Sequence, residues 1–419
     1  MEWRRALRAG RRFGLLLVTC IIALQICGCS AANATDSVAM ANNGMEQTPI
    51  VDYAVPQQQP NVLIDRQGYQ IGSEKEAVVK GTTLPEHFHI VDQKTQDVVY
   101  SGVLEQIVYL EEGACYIGYA DFTDFDRVGD YYLKCDRVGE SYSFHIGDAN
   151  YEQLFYQQLA EMEAACDSGT ISLDGINQML IAYEWYPQLF EDEDADEIPD
   201  TLEHITAWID NNAQNMTEEG DYLVAVLAKF SYLYQGYNRK YATQCLQMAS
   251  NLHSQITNHK NADSFYALTE LYRASGLREY EVKIEEQTSF FEAGGSYLEQ
   301  MGYLYGTMTY LVTRQDIDID LCSTLMSNMM ARAEEIADVH GDILHPLFPR
   351  NNGNQDLNKK AFELACANYV MNNYQYNHVQ EEFFHYMMGR NKDSRSLYLE
   401  LESREGYLVL LAQLTNIYF

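Results

Sequence analysis

The sequence predicts an N-terminal immunoglobulin-like β-sandwich followed by an all-α (α/α)6 barrel of six helical hairpins. Three observations predict this. Short apolar runs alternate with turn residues from Asn61 to Gly147. From Tyr151 the apolar spacing changes to three and four, as in Tyr151, Leu154, Phe155, Leu159 and Met162, and again in Tyr241, Cys245, Met248, Leu252 and Ile256. Chain breakers then divide the region to Phe419 into about twelve helices, two for each of six hairpins. No 34- or 40-residue repeat accompanies them, which disfavours an open solenoid.

Before the sandwich, residues 1–28 read as an export leader. Arg4, Arg5, Arg8, Arg11 and Arg12 precede an apolar run from Phe13 to Ile26, and Ile26-Cys27-Gly28-Cys29 has the form of a lipobox. In that pattern Cys29 carries the diacylglyceryl group and becomes the mature N-terminus. The run is shorter than the roughly 20 apolar residues of a membrane span, and two acyl chains on one cysteine give stable anchoring. The expected location is the extracytoplasmic face of a bacterial cell membrane. Residues 29–60, rich in Ala, Asn, Gln, Ser, Thr and Pro, lack an apolar period and read as a tether with a reach of about 30 Å.

The chain carries a formal net charge of −33, and loss of the arginine-rich leader makes the remainder more acidic still. Such a field repels nucleic acid and anionic polymers while leaving neutral polysaccharides unaffected. Acid runs such as Glu191-Asp192-Glu193-Asp194 read as solvated loops. Beyond the anchor stand Cys115, Cys135, Cys166, Cys245, Cys322 and Cys366, none at zinc-ligand spacing. Cys115 and Cys135 both fall in the β region, where an oxidising compartment would allow a disulfide. His87 and His89 point to one face of a strand, a pattern that rarely signals a metal. No metal or other cofactor is expected, and there is no G-x-S-x-G, H-E-x-x-H, P-loop or Rossmann glycine run.

The predicted strands are Val62–Ile64, Ala77–Val79, Phe88–Val91, Val98–Tyr100, Cys115–Tyr119, Tyr131–Cys135 and Tyr142–Ile146, placing the sandwich over residues 61–148. Asp65-Arg66-Gln67-Gly68-Tyr69 opens it, Asp121-Phe122-Thr123 stands in the middle, and Gly129-Asp130-Tyr131-Tyr132-Leu133 comes near its end. In this order they resemble the N-Q-x-G-Y opening, D-F-S turn and G-x-Y-x-L strand of the immunoglobulin-like domain of family 9 glycoside hydrolases. Arg66 and Thr123 depart from that pattern. The helical part, residues 150–419, resembles the same family's barrel. Ala182-Tyr183-Glu184-Trp185-Tyr186-Pro187 and Ile198-Pro199-Asp200-Thr201-Leu202-Glu203 are similar to its A-Y-E-x-x-P and I-P-D-x-L-D-E segments. Asp221 to Ala228 with Cys245-Leu246 resembles its central helix pair. Ala267 to Tyr280 is similar to its E-L-Y-x-A-T-G-x-x-x-Y hairpin, and Tyr386-Met387-Met388-Gly389-Arg390-Asn391 to its Y-x-L-G-R-N turn. Breaks are expected at Gly169, Pro187, Pro199, Gly220, Gly236, His259, Gly276, Gly294, Asp316, Gly341 and Asn377, with a last helix after Asn391.

The resemblance implies hydrolysis with inversion, in which one carboxylate activates water and a carboxylic acid about 6.5–9.5 Å away protonates the leaving oxygen. The family's D-A-G-D base segment is shortened here to Cys166-Asp167-Ser168-Gly169-Thr170-Ile171-Ser172-Leu173-Asp174-Gly175. Asp167 and Asp174 are the nearest matches, and both positions also suit helix ends. No His-His-Arg precedes the last helix. Glu400 is the best positional match to the acid and Glu405 the next, although either also suits a solvated site near a helix N-terminus. A third trim falls between Asn215 and Tyr222. Phe348-Pro349-Arg350-Asn351-Asn352-Gly353-Asn354 resembles the family's cleft loop, making Arg350 and Asn352 substrate-binding candidates. Tyr297, Tyr303, Tyr305 and Tyr376 are further candidates for stacking on sugars. The expectation is a degenerate, cellulase-like member that keeps the fold and contacts a β-glucan or related glycan with weak or no hydrolysis. An atypical active glycosidase and a protein-binding scaffold are the alternatives.

Overall fold

The computed structural model describes residues 53–192, 196–213, 220–256, 261–398 and 404–418. The strands are β1 (Val62–Leu63), β2 (Tyr69–Gln70), β3 (Glu76–Gly81), β4 (His87–Asp92), β5 (Val98–Val103), β6 (Glu105–Leu110), β7 (Cys115–Asp121), β8 (Gly129–Cys135) and β9 (Gly139–Gly147). They form two sheets, ordered β1-β3-β7-β6 and β2-β9-β8-β4-β5, antiparallel except for the β2/β9 pair. Alternation explains the layers: Ala77, Val79, Ala120, Tyr131 and Leu133 point into one apolar core with Phe88, Phe122 and Phe144. Tyr69 sits at its centre, edge-on to Phe122 and Phe144, and its hydroxyl accepts the Asp65 N–H and donates to the Glu76 carbonyl.

Cys115 and Cys135 do not pair. They lie on strands of different sheets and are free thiols, and burial pushes the Cys135 thiol up to about 12. The chain leading into β1 already packs at Tyr53, whose ring stacks on Tyr132 at 4.5 Å and whose hydroxyl donates to the Ser141 carbonyl.

The helices are α1 (Asn150–Ser168), α2 (Leu173–Trp185), α3 (Asp200–Asn212), α4 (Gly220–Tyr234), α5 (Arg239–Gln255), α6 (Ala262–Ser275), α7 (Arg278–Glu285, followed by the single turn Thr288–Phe291), α8 (Met301–Val312), α9 (Ile319–Ile343), α10 (Asn354–Met371), α11 (Asn377–Met388) and α12 (Leu408–Tyr418). The even-numbered helices touch one another in a closed ring, α2-α4-α6-α8-α10-α12 and back to α2, with the odd-numbered ones outside. Burial follows this order: α4 is buried on nearly every side from Leu223 to Ser231, whereas α9 buries only one stripe, Leu321, Leu325, Met329, Ala333 and Ile336. Gly169 and Gly276 close α1 and α6 in the left-handed conformation, at φ 68° and 67°. The expected break at Gly341 is overturned. Helix α9 runs through it to Ile343, where a buried isoleucine holds the last turn and Pro346 stands three residues on. The expected break at His259 lies outside the described residues.

The outer face of the first sheet meets the barrel at α11. Fully buried Asp65 pairs with His385 at 2.8 Å while its other carboxylate oxygen accepts the Gln67 and Gly68 N–H groups. Arg390 joins Glu76 of β3, at 3.0 Å, to Glu382 of α11. The Arg66 N–H donates to the Met388 carbonyl, and Asn150 Nδ2 to the Tyr69 carbonyl at 2.7 Å. Gly389, at φ 142°, lies so close that an added Cβ would sit 2.8 Å from Arg66 Cγ and 3.0 Å from the Ile64 oxygen. The opening motif of the sandwich and the G-R-N turn of the barrel are therefore two halves of one contact.

Burial pushes Glu76 up to about 7 against the pull of Arg390, and it also raises Asp65 and Glu381. A carboxyl raised in the folded state holds a proton that the unfolded chain has lost, so stability falls as pH rises between 4.5 and about 7. Glu184 runs the other way: burial raises it, but Arg273 and Lys229 pull it down to about 2, so its contribution is lost as pH falls below 4.5. The thermal midpoint is therefore expected to be higher near about pH 5 than near about pH 8 and to drop again in stronger acid. Calorimetry across this range, with Glu76→Gln flattening the alkaline arm, checks the assignment.

Candidate active site at the barrel mouth

The six inner helices run parallel in the ring, so their N-termini share one end of the barrel, and the residues expected to carry chemistry come from that end. Ser172 caps α2 by accepting the Gly175 N–H at 2.9 Å, which leaves Asp174 free of the capping role. Its Oδ1 instead accepts two hydroxyls from across the ring, Tyr222 of α4 at 2.6 Å and Tyr305 of α8 at 3.1 Å. One turn deeper, Asn177 Nδ2 donates to the Tyr222 oxygen at 3.2 Å and Gln178 Nε2 donates to the Tyr305 oxygen at 2.8 Å. Tyr266 of α6 donates to Asn177 Oδ1 at 2.6 Å. Each hydroxyl thus donates once, and two accept an amide N–H besides. Burial holds all three tyrosines well above the usual phenol range, so they remain donors at any physiological pH.

Below this layer lie four charges. Lys229 of α4 bridges Glu184 at 2.8 Å and Glu270 at 2.9 Å, and Arg273 of α6 bridges the same two carboxylates, reaching Glu270 at 2.6 Å. Thr309 of α8 donates to Glu270 at 2.7 Å, and the Arg273 guanidinium lies 4.4 Å over the Tyr232 ring. The cluster is neutral as a whole and almost wholly buried. Trp185, Tyr266, Tyr305, Met308 and Phe362 line the gap beside it, which has room for about one water molecule and none for a sugar ring. The A-Y-E segment supplies Glu184, and the E-L-Y segment supplies Glu270 and Arg273.

The other candidates are scattered. Asp167 is exposed in the last turn of α1 and meets His204 of α3 at 2.6 Å, on the outer ring. Glu400 and Cys29 lie outside the described residues, as does the side chain of Glu405, whose backbone opens the short turn Glu405–Tyr407 before α12. Arg350 and Asn352 are exposed on the loop between α9 and α10, where Arg350 pairs with Asp342 at 3.0 Å and the Asn352 N–H donates to Asp356. Tyr303 is buried on α8 among Phe265, Phe290, Phe291 and Tyr297, which cover the faces a sugar would need. Tyr297, Tyr305 and Tyr376 are buried as well, so none of the four tyrosines presents a ring to solvent. His87 is exposed, and His89 meets Ser101 at 2.7 Å; among the described residues no group of side chains is arranged to hold a metal ion. Sequence reasoning missed Asn177, Gln178, Tyr222 and Tyr266. Their signal was a polar tip at the N-terminal end of helices that are otherwise apolar on every side.

Residues 57–140 match the cellulase N-terminal ig-like domain family. Solved structures extend the likeness over both parts. A metagenome-derived glycoside hydrolase family 9 endoglucanase superposes with a TM-score of 0.67 at 16% identity, covering 83% of this chain and 88% of that one. The fold is that of family 9. A Bacteroides ovatus family 9 protein gives 0.66 at 13% identity over 86% of this chain and 99% of its own. AaCel9A, solved with a cellobiose-like isofagomine, gives 0.63 at 14% identity over 80% and 83%. No curated protein matches the sequence. Within this fold, the resemblance that was visible in the sequence falls on residues that hold the barrel axis and the domain junction together.

Removing one partner from a buried charge cluster leaves an uncompensated charge, so Arg273→Met is expected to cost about 3–5 kcal/mol. Urea denaturation would detect this, and a loss below about 1 kcal/mol would show that the cluster is no more than an exposed ion pair in its effect.

Proposed function

We propose that this protein is a lipid-anchored, extracytoplasmic member of the family 9 fold that engages neutral β-glucan-type polysaccharide with weak or no hydrolysis. One observation carries the reading: Asp174, the candidate base at the mouth, has its Oδ1 already bound by two tyrosine hydroxyls. A general base must reach the water it activates, and a carboxylate oxygen already accepting two O–H donors is a poor acceptor for another proton. The shortened segments near Asp167–Gly175 and after Asn391 support the same reading. So does the net charge of −33, which suits a neutral polymer and disfavours nucleic acid.

Reducing-end release from soluble β-1,4-glucan is expected to be undetectable or several orders of magnitude below that of an ordinary hydrolase, since acid and base assistance each supply about 10²–10⁴. Glycan binding without release supports the reading. Release at an ordinary enzymatic rate, abolished by Asp174→Asn or Glu400→Gln, would replace it with an active atypical glycosidase. For the anchor, Cys29→Ser is expected to move the protein from the membrane fraction to the soluble one; a variant that stays membrane-bound would exclude lipidation at Cys29.

A further inference from the structure

We propose that the sandwich takes up an extended segment of another protein along the free edge of β6, and that this segment is apolar in its centre and flanked by lysine or arginine. The inference stands apart from glycan engagement. Strand β6 ends the order β1-β3-β7-β6, so it has a strand on one side only. From Val108 to Leu110 it runs in register with β7, Val108 opposite Ile117, Tyr109 opposite Tyr116 and Leu110 opposite Cys115. Among the described residues, the backbone groups on its other side meet no protein partner. Such groups are what strand addition pairs, since an extended chain offers N–H and C=O at the same spacing. A bulge beside Gln106, left-handed at φ 47°, limits the usable edge to Ile107–Leu110 and so suits a short segment.

Edge strands are commonly guarded by a charge or a proline within the strand, and Ile107-Val108-Tyr109-Leu110 contains neither. Ile107, Val108 and Tyr109 are 46%, 50% and 50% exposed, and alternation puts Val108 on the face opposite the other two. An added strand therefore meets apolar side chains on both of its faces. The charges stand only at the two ends of the run and are all negative: Glu105 on one side, Glu111 and Glu112 on the other, each exposed. Arg350, which like Glu112 lies near His345, already pairs with Asp342 at 3.0 Å. This arrangement selects the occupant. Antiparallel pairing that lays the run on a second copy of itself sets Glu105 opposite Glu112 twice and Gln106 opposite Glu111, and like charges directly opposite are destabilising. A segment with basic residues on both flanks turns the same positions into attractive pairs.

The test uses the full chain carrying Cys29→Ser, titrated by fluorescence anisotropy into a labelled synthetic peptide of sequence KKVTVTVKK. Saturable binding is expected, with none to EEVTVTVEE. The same basic peptide N-methylated throughout its centre keeps its charge and side chains but has no N–H to donate, and it is expected to bind at least about tenfold more weakly. The variant Val108→Lys/Tyr109→Lys, which places cations within the edge, is expected to lose at least as much affinity for KKVTVTVKK. Its thermal midpoint should stay near that of the parent, because both side chains are half exposed. Glu111→Lys/Glu112→Lys should shift the preference from the basic peptide toward the acidic one. Failure of the parent to bind KKVTVTVKK would overturn the proposal, and so would equal affinity for the N-methylated form, which would reduce the interaction to charge alone. A concentration-dependent dimer in analytical ultracentrifugation, abolished by Val108→Lys/Tyr109→Lys, would overturn it in favour of a second copy.

Discussion

Four buried charges on the barrel axis constrain everything around them. Glu184, Lys229, Glu270 and Arg273 come from three inner helices, and each has been taken out of water at a cost of several kcal/mol. That cost is recovered only if all four arrive together, since any three leave a net charge in a low-dielectric interior. The cluster therefore fixes the axial position and rotation of α2, α4 and α6 relative to one another. Once α2 is fixed, its axis-facing side follows by helical spacing: Asp174, Asn177 and Gln178, Ile181, then Glu184. Tyr266, Glu270 and Arg273 line α6 in the same way, and Tyr222 and Lys229 line α4. The tyrosine layer at the mouth is thus a consequence of the ion layer beneath it, built on the same helix faces at the opposite end.

The parts of the fold that could be read in the sequence were the parts under this kind of constraint. The sandwich strands were legible where burial alternates, as in Ala77 to Val79 and Tyr131 to Cys135. Strand β6 was missed because Glu105 to Tyr109 are exposed on both faces and show no alternation. Helix ends were legible at Gly169 and Gly276, where a left-handed residue is needed, and were misplaced at Gly341, which takes an ordinary helical turn. The bonding within the axis network was not legible, although some of its members stood in the quoted segments. A tyrosine or an asparagine in an apolar helix has the same spacing whether it packs against leucine or bonds to a carboxylate three helices away, and only tertiary structure distinguishes the two. Tyr303 illustrates the reverse error: it was a candidate for stacking on a sugar, yet Phe265, Phe290, Phe291 and Tyr297 pack around its ring.

The motifs that suggested family 9 have a common property in this structure. Asp65 and Tyr69 from the sandwich opening meet His385 at the junction, and Arg273 joins Glu184 to Glu270 on the axis. These are contacts between segments distant in sequence, each made through a buried charge or a buried ring. Truncating one side strands the other, so a change at any of these positions is costly whatever chemistry the protein performs. Exposed loops carry no such penalty. The segments after Asn391 and before Gly175 supply none of the four axis charges, which all stand on α2, α4 and α6.

This asymmetry bears on where a ligand can be accommodated. At the mouth the inner helices carry their own filling, and Tyr222 and Tyr305 both hold Asp174 Oδ1. Opening the mouth would mean breaking those two hydroxyl contacts and the amide bonds behind them in a layer where each buried group left unpaired costs about 1–3 kcal/mol. A weakly bound ligand cannot supply the energy to unpack such a layer, because each contact it broke would have to be replaced by one at least as strong.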